Sequence, residues 1–126
     1  MFVVDRETIK EVTIMKLITA KIQKKLEKNY QNTIETGKSN DVVLKLFGGS
    51  NCTWLITEIE PDNDIMWGLC DIGMGFCEFG TVSLNELKQT KFPPFGLPVE
   101  RDMHFDDGSV DSFNEYYNKN GTLNGC

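Results

Sequence analysis

The sequence predicts an α+β domain, a single antiparallel sheet of about four to five strands packed by an N-terminal helix, with a short helix near 83–89. Three observations predict it. An apolar stripe recurs every four residues in the first third of the chain, and four short runs rich in β-branched and aromatic residues follow, separated by turn-formers. A Ser-x-x-Glu capping box then stands directly after the last of these runs. With 126 residues, 40% of them hydrophobic and 25% charged, the chain has room for one packed core without metals or disulfides.

The elements follow in order. MFVVDRETIKEVTI shows no clear period, although Asp5 could cap a short helix, and residues 1–14 are expected to be an extension of the domain proper, which should span 15–106. In MKLITAKIQKKLEKNYQ, Thr19 is the candidate N-cap, and Ile18, Ile22, Leu26 and Tyr30 form the apolar stripe. NTIETGKSN, residues 32–40, is polar with a glycine and reads as a loop. DVVLKLF, CTWLITEIE, IMWGLCDI and GFCEFG read as strands, joined by GGSN, PDND and GMG into a meander. A period of two places Trp54, Ile56 and Glu58 on one face of the second strand, and Ile65, Trp67, Leu69 and Asp71 on one face of the third. Ser83 to Glu86 opens the short helix, and KFPPFGLP, with its prolines, reads as a constrained connector without regular structure. VERDMHF alternates as a last strand, and residues 107–126 form a polar tail in which Val110, Phe113 and Tyr117 have the spacing of one docked helix.

Composition excludes several function classes. Residues 1–45 carry 9 Lys and Arg against 6 Asp and Glu, whereas residues 46–126 carry 4 against 13, so the halves differ in sign, +3 and −9. An acidic majority argues against direct nucleic-acid binding, which relies on basic side chains neutralising phosphates, but suits a protein partner or mimicry of a nucleic acid's charge. No apolar run approaches the roughly 18 residues needed to cross a bilayer, and no secretory signal opens the chain, so a cytoplasmic protein without membrane attachment is expected. Cys52, Cys70, Cys77 and Cys126 form no CxxC pair and there is one histidine, which speaks for reduced thiols and against zinc. Walker-type and dinucleotide-binding glycine loops are missing too, so neither a metal nor a cofactor is expected.

TWLITEIEPDNDIMWGLCDIGMGFCEFGTVSLNELK followed by GLPVERDMHF resembles the small bacterial family known as domain of unknown function 2958. The shared features are Trp54 with Glu58, Gly68 in the next strand, Gly80 with Ser83 through Leu87, and Gly96 through Asp102, and the resemblance runs from about residue 15 to 105. It implies a compact α+β fold and a setting on plasmids, conjugative elements and phages. It implies no reaction, and no position inherits a catalytic role from it.

The candidate ligand-binding residues are Trp54, Glu58, Trp67, Arg101 and Asp102. Arg101 would grip a phosphate or carboxylate, or else form an ion pair with an acid such as Glu58 on a neighbouring strand, while the tryptophans would stack on a ring or fill the core under the helix. Lys21, Lys24, Lys25 and Lys28 fall within one arc of the first helix, either a solvated face or an attractor for a phosphate-bearing ligand. His104 beside Asp102 admits a small hydrolase, but no nucleophile motif accompanies it. The expectation is a non-enzymatic accessory protein of a phage or mobile element that blunts a host defence by sequestering a nucleotide-like signal. The alternative is an inhibitor that covers a host defence protein with an acidic surface. Exposed strand edges would also allow a homodimer.

Overall fold

The computed structural model describes residues 17–38, 40–49, 51–73, 77–103 and 105. The expectations for residues 1–14, for the tail after 106 and for His104 lie outside them.

Helix α1, Ala20–Thr36, begins where Thr19 leaves the extended region and its hydroxyl accepts the Ile22 amide at 3.1 Å. Leu26 is its fully buried residue, with Ile18 and Ile22 packed beside it. The helix outruns the expected loop at 32–40. It continues to Thr36, where Gly37 adopts φ 69° and donates its amide to the Thr33 carbonyl, a left-handed cap that glycine reaches without a Cβ penalty. The extra turn makes Thr33 a helical residue.

Strands β1 (Leu44–Gly48), β2 (Cys52–Ile59), β3 (Ile65–Asp71) and β4 (Cys77–Ser83) form the predicted meander. The short strand β7, Glu100–Arg101, completes an antiparallel sheet of order β4-β3-β2-β1-β7, so Glu100 and Arg101 lie against the first strand. Between β4 and β7 come helix α2, Leu84–Gln89, and two paired two-residue strands, β5 (Lys91–Phe92) and β6 (Leu97–Pro98). KFPPFGLP therefore forms a small hairpin around a cis Pro93-Pro94 bond, a correction to the expectation of a connector without regular structure. Pairing is possible because Lys91, Phe92 and Leu97 keep their amides and the prolines fall in the turn or at the end of β6.

Ser83 caps α2 as its box predicts, accepting the Glu86 amide at 3.2 Å. Asp64 doubles the cap: one carboxylate oxygen accepts from the Ser83 hydroxyl and the Asn85 amide, both at 2.8 Å. The turn before β3 thereby fixes where α2 starts.

The two faces of the sheet differ. The core face carries Leu44, Leu46, Trp54, Ile56 and Met66, which join Leu26 of α1, Leu84 and Leu87 of α2 and Val99 in the main hydrophobic cluster. On the second face Leu55 and Leu69 join Val42 in a smaller one. Cys52 and Cys70 are free thiols, and burial pushes both above the ordinary thiol range, with Asp71 and Glu78 respectively adding to it. Cys77, at the start of the edge strand β4, is disulfide-bonded, which corrects the expectation of reduced thiols at that position.

Candidate functional site

Strict alternation along β2 would send Glu58 into the apolar cluster beside Trp54 and Ile56. It does not go there. Ile56 stands opposite Gly68, but Glu58 stands opposite Trp67, so Thr57 is an extra residue without a partner, a β-bulge. The bulge turns Glu58 to the second face and returns Ile59, opposite Met66, to the core face. This corrects the expected shared face of Trp54, Ile56 and Glu58. The physical reason is that an apolar cluster offers a carboxylate no hydrogen-bond partner, while Ile59 belongs in it.

Side chains from α1 hold the bulge. Asn29 donates its amide to the Thr57 carbonyl at 2.8 Å, meeting the acceptor that a bulge removes from the ladder. One turn later the Thr33 hydroxyl donates to Glu58 Oε1 at 3.0 Å, and itself accepts from Asn40 at 2.8 Å. The Lys38 carbonyl lies 3.5 Å from the same hydroxyl, but a hydroxyl has one proton, and the shorter, charge-assisted bond to Glu58 takes it. Asn40 is held in turn by the Asn29 carbonyl at 3.0 Å and by the Asn32 amide on its own oxygen at 2.8 Å. The Thr57 hydroxyl lies 3.4 Å from Glu58 Oε1 and from the Trp67 carbonyl.

Both bonds that Glu58 receives therefore converge on Oε1. Among the described residues no buried side-chain oxygen lacks a partner, so Oε2 is the atom that meets the space outside. That space is a groove of about 570 Å³ lined by Thr33, Lys38, Asn40, Glu58, Trp67 and Phe79, together with Gly37 and Thr57. Glu58 is only 8% exposed at its base, while Trp67 is 41% and Phe79 51% exposed along it. A volume of this order suits a drug-sized or mononucleotide-sized molecule. Chemically the groove offers aromatic surface for a planar ring, a preorganised carboxylate oxygen for N–H donors, and in Lys38, an exposed residue of its lining, a cationic side chain suited to an anion.

The expected site residues are divided by the fold. Glu58 and Trp67 meet as cross-strand partners in the groove. Trp54, 6% exposed, fills the core. Arg101 and Asp102 line a separate cavity of about 150 Å³ with Lys45 and Phe105, where Lys45 and Asp102 approach to 3.8 Å. Arg101 stands opposite Leu46 on the core face, so the expected Arg101–Glu58 ion pair does not form. Lys21, Lys24, Lys25 and Lys28 are all exposed along α1. Among the described residues, no group of three or more His, Cys, Asp or Glu side chains is gathered as metal ligands, and no helix is long and apolar enough to cross a membrane.

Thr33, Lys38, Asn40, Thr57 and Phe79 were not singled out by the sequence reading. A signal for one of them existed: Ile22, Leu26, Asn29 and Thr33 are spaced four, three and four apart, so the buried stripe continues into polar residues, as it does when a helix meets a buried polar group.

Fold and site together define a small α+β protein with an aromatic groove laid over a carboxylate held by hydroxyls. A family model described as a protein of unknown function, DUF2958, matches residues 17–123, and the chain belongs to that family. The match passes residue 105, where the motif resemblance ends, and takes in the tail as far as residue 123. No curated protein and no solved structure matches the chain.

Proposed function

We propose that this protein acts by binding, without chemistry, a small nucleotide-like ligand in the groove between the C-terminal end of α1 and strands β2 to β4. The single observation that carries this reading is the Glu58 carboxylate, deeply buried and held through Oε1, with Oε2 toward a groove along which Trp67 is half-exposed. Trp67 and Phe79 supply stacking surface, Glu58 accepts from a base edge, and Lys38 attracts a phosphate. Among the described lining residues there is no His or Cys, and the Thr33 hydroxyl is engaged in orienting Glu58, so sequestration is the economical reading of the groove's chemistry. In the mobile-element setting that the motif resemblance implies, such a protein would blunt a host defence by withdrawing a nucleotide signal.

The test is to incubate the purified chain with a mixture of nucleotides, remove what stays free, denature the protein and identify what is released. Release of an intact nucleotide, lost in a Trp67→Ala variant, is the expected result. An altered product would make the protein an enzyme, and an empty eluate at millimolar ligand would end the small-molecule reading.

A further inference from the structure

Resting on that binding reading, we infer that the groove discriminates among bases and selects a guanine-type edge over an adenine-type one. The selecting group is Glu58. Thr33 and Thr57 converge on Oε1 and leave Oε2 for the ligand. A carboxylate without its proton only accepts, so the ligand edge facing it must donate. Guanine presents N1–H and the N2 amino group side by side, two adjacent donors. Adenine presents its N6 amino group beside the N1 lone pair, so placing that edge on Glu58 sets one acceptor against another.

The geometry supports discrimination beyond a simple preference. Thr57 has a second acceptor within reach, the Trp67 carbonyl at 3.4 Å, the same distance as Glu58 Oε1. When its hydroxyl turns to that carbonyl, Oε1 gains a lone pair, and the carboxylate can receive both guanine donors while Thr33 still holds it at 3.0 Å. The chain Asn40 to Thr33 to Glu58 fixes the carboxylate before a ligand arrives, so little ordering is left to binding. A site built around a buried hydrogen-bonding group penalises the ligand that leaves it unpaired far more than an apolar pocket penalises a missing methylene. Trp67 contributes to any base, because every base has a π-face.

The experiment is a calorimetric titration of the full chain with GMP, IMP and AMP, repeated with Glu58→Gln. Wild type is expected to bind GMP at least tenfold more tightly than AMP, with IMP, which keeps N1–H but lacks the amino group, between them. Glu58→Gln keeps an oxygen for Thr33 and so preserves the fold, which its thermal midpoint verifies, but is expected to bring GMP within threefold of AMP. Equal wild-type affinity for AMP and GMP, or a GMP preference that survives Glu58→Gln, overturns the guanine selection and leaves the binding reading standing. Failure of all three nucleotides to bind at millimolar concentration overturns both.

Discussion

Trp54 and Trp67 stand on neighbouring strands of one sheet, yet one is 6% and the other 41% exposed. Trp54 lies on the core face, in the cluster with Leu26, Leu46 and Ile56, while Trp67 lies on the second face against Glu58. Residue type is shared, so environment alone separates them: one tryptophan stabilises the fold and the other furnishes a surface. Truncation measures the difference. Trp54→Ala should cost about 3–5 kcal/mol, because it removes a ring from a filled core and leaves a cavity. Trp67→Ala should cost about half as much, since its ring already meets solvent. Urea midpoints with unchanged slope would establish this order. Acrylamide quenching sharpens it further, with Trp54→Phe, which leaves Trp67 as the remaining indole, strongly quenched and Trp67→Phe protected.

The next largest effect tests why the two strands lie so close beside the bulge. A Cβ built on Gly68 would run into the Leu55 carbonyl oxygen, with the Leu55 carbonyl carbon at 2.8 Å and the Ile56 Cα at 2.9 Å. These are backbone atoms of the paired strand and cannot swing aside as a flexible side chain would. Gly68→Ala should therefore cost about 3 kcal/mol, at the upper end of small-to-large substitutions. Gly80→Ala, which meets nothing within 4 Å, is the matched control from the next strand and should change the urea midpoint little.

A smaller effect isolates the bulge itself. Asn29→Ala removes the donor that meets the Thr57 carbonyl at 2.8 Å, leaving a carbonyl of a buried residue short of a partner at about 1–2 kcal/mol. If the Asn29 bond positions Glu58 as well as stabilising the fold, the variant should also weaken ligand binding at the groove. Stability lost with binding retained would show that the bulge stands without α1.

Much of this was legible in the sequence, and the exceptions share a cause. The meander, the α1 cap at Thr19 and the α2 cap at Ser83 are local, and each has a local residue signature. The end of α1 is obscured because NTIET is polar, although Gly37 marks the stop and the Ile22–Leu26–Asn29–Thr33 spacing runs on toward it. The bulge escapes a period-two reading because the alternation fails at Thr57. Ile56-Thr57-Glu58-Ile59 holds the warning, for strict alternation after Ile56 buries the glutamate and exposes the isoleucine, and an inserted residue reverses both. Chemistry alone suits Arg101 to an ion pair with Glu58. Their separation depends on β7 pairing with β1, a long-range choice that no local signature encodes.

The smallest expected effect lies at the turn between β2 and β3, off both faces. Asp62 Oδ1 accepts the Asp64 amide at 2.9 Å and the Ile65 amide at 3.0 Å. Those two backbone bonds, Asp64's first, hold its carboxyl below the usual carboxylate range. A carboxyl whose folded pKa lies below its unfolded one contributes stability that is present above the unfolded value of about 3.9 and is lost as pH falls through the folded value. Asp62→Asn keeps an acceptor oxygen but cannot titrate, so its deficit relative to wild type should be visible at pH 6 and shrink toward zero below about pH 3. Urea midpoints across that range read the difference, and a gap that stays constant with pH would mean that the carboxylate charge contributes nothing. Because Asp62 is fully exposed and not among the residues lining the groove, ligand affinity at neutral pH should not change with it, which separates the turn that aligns the strands from the bulge that builds the site.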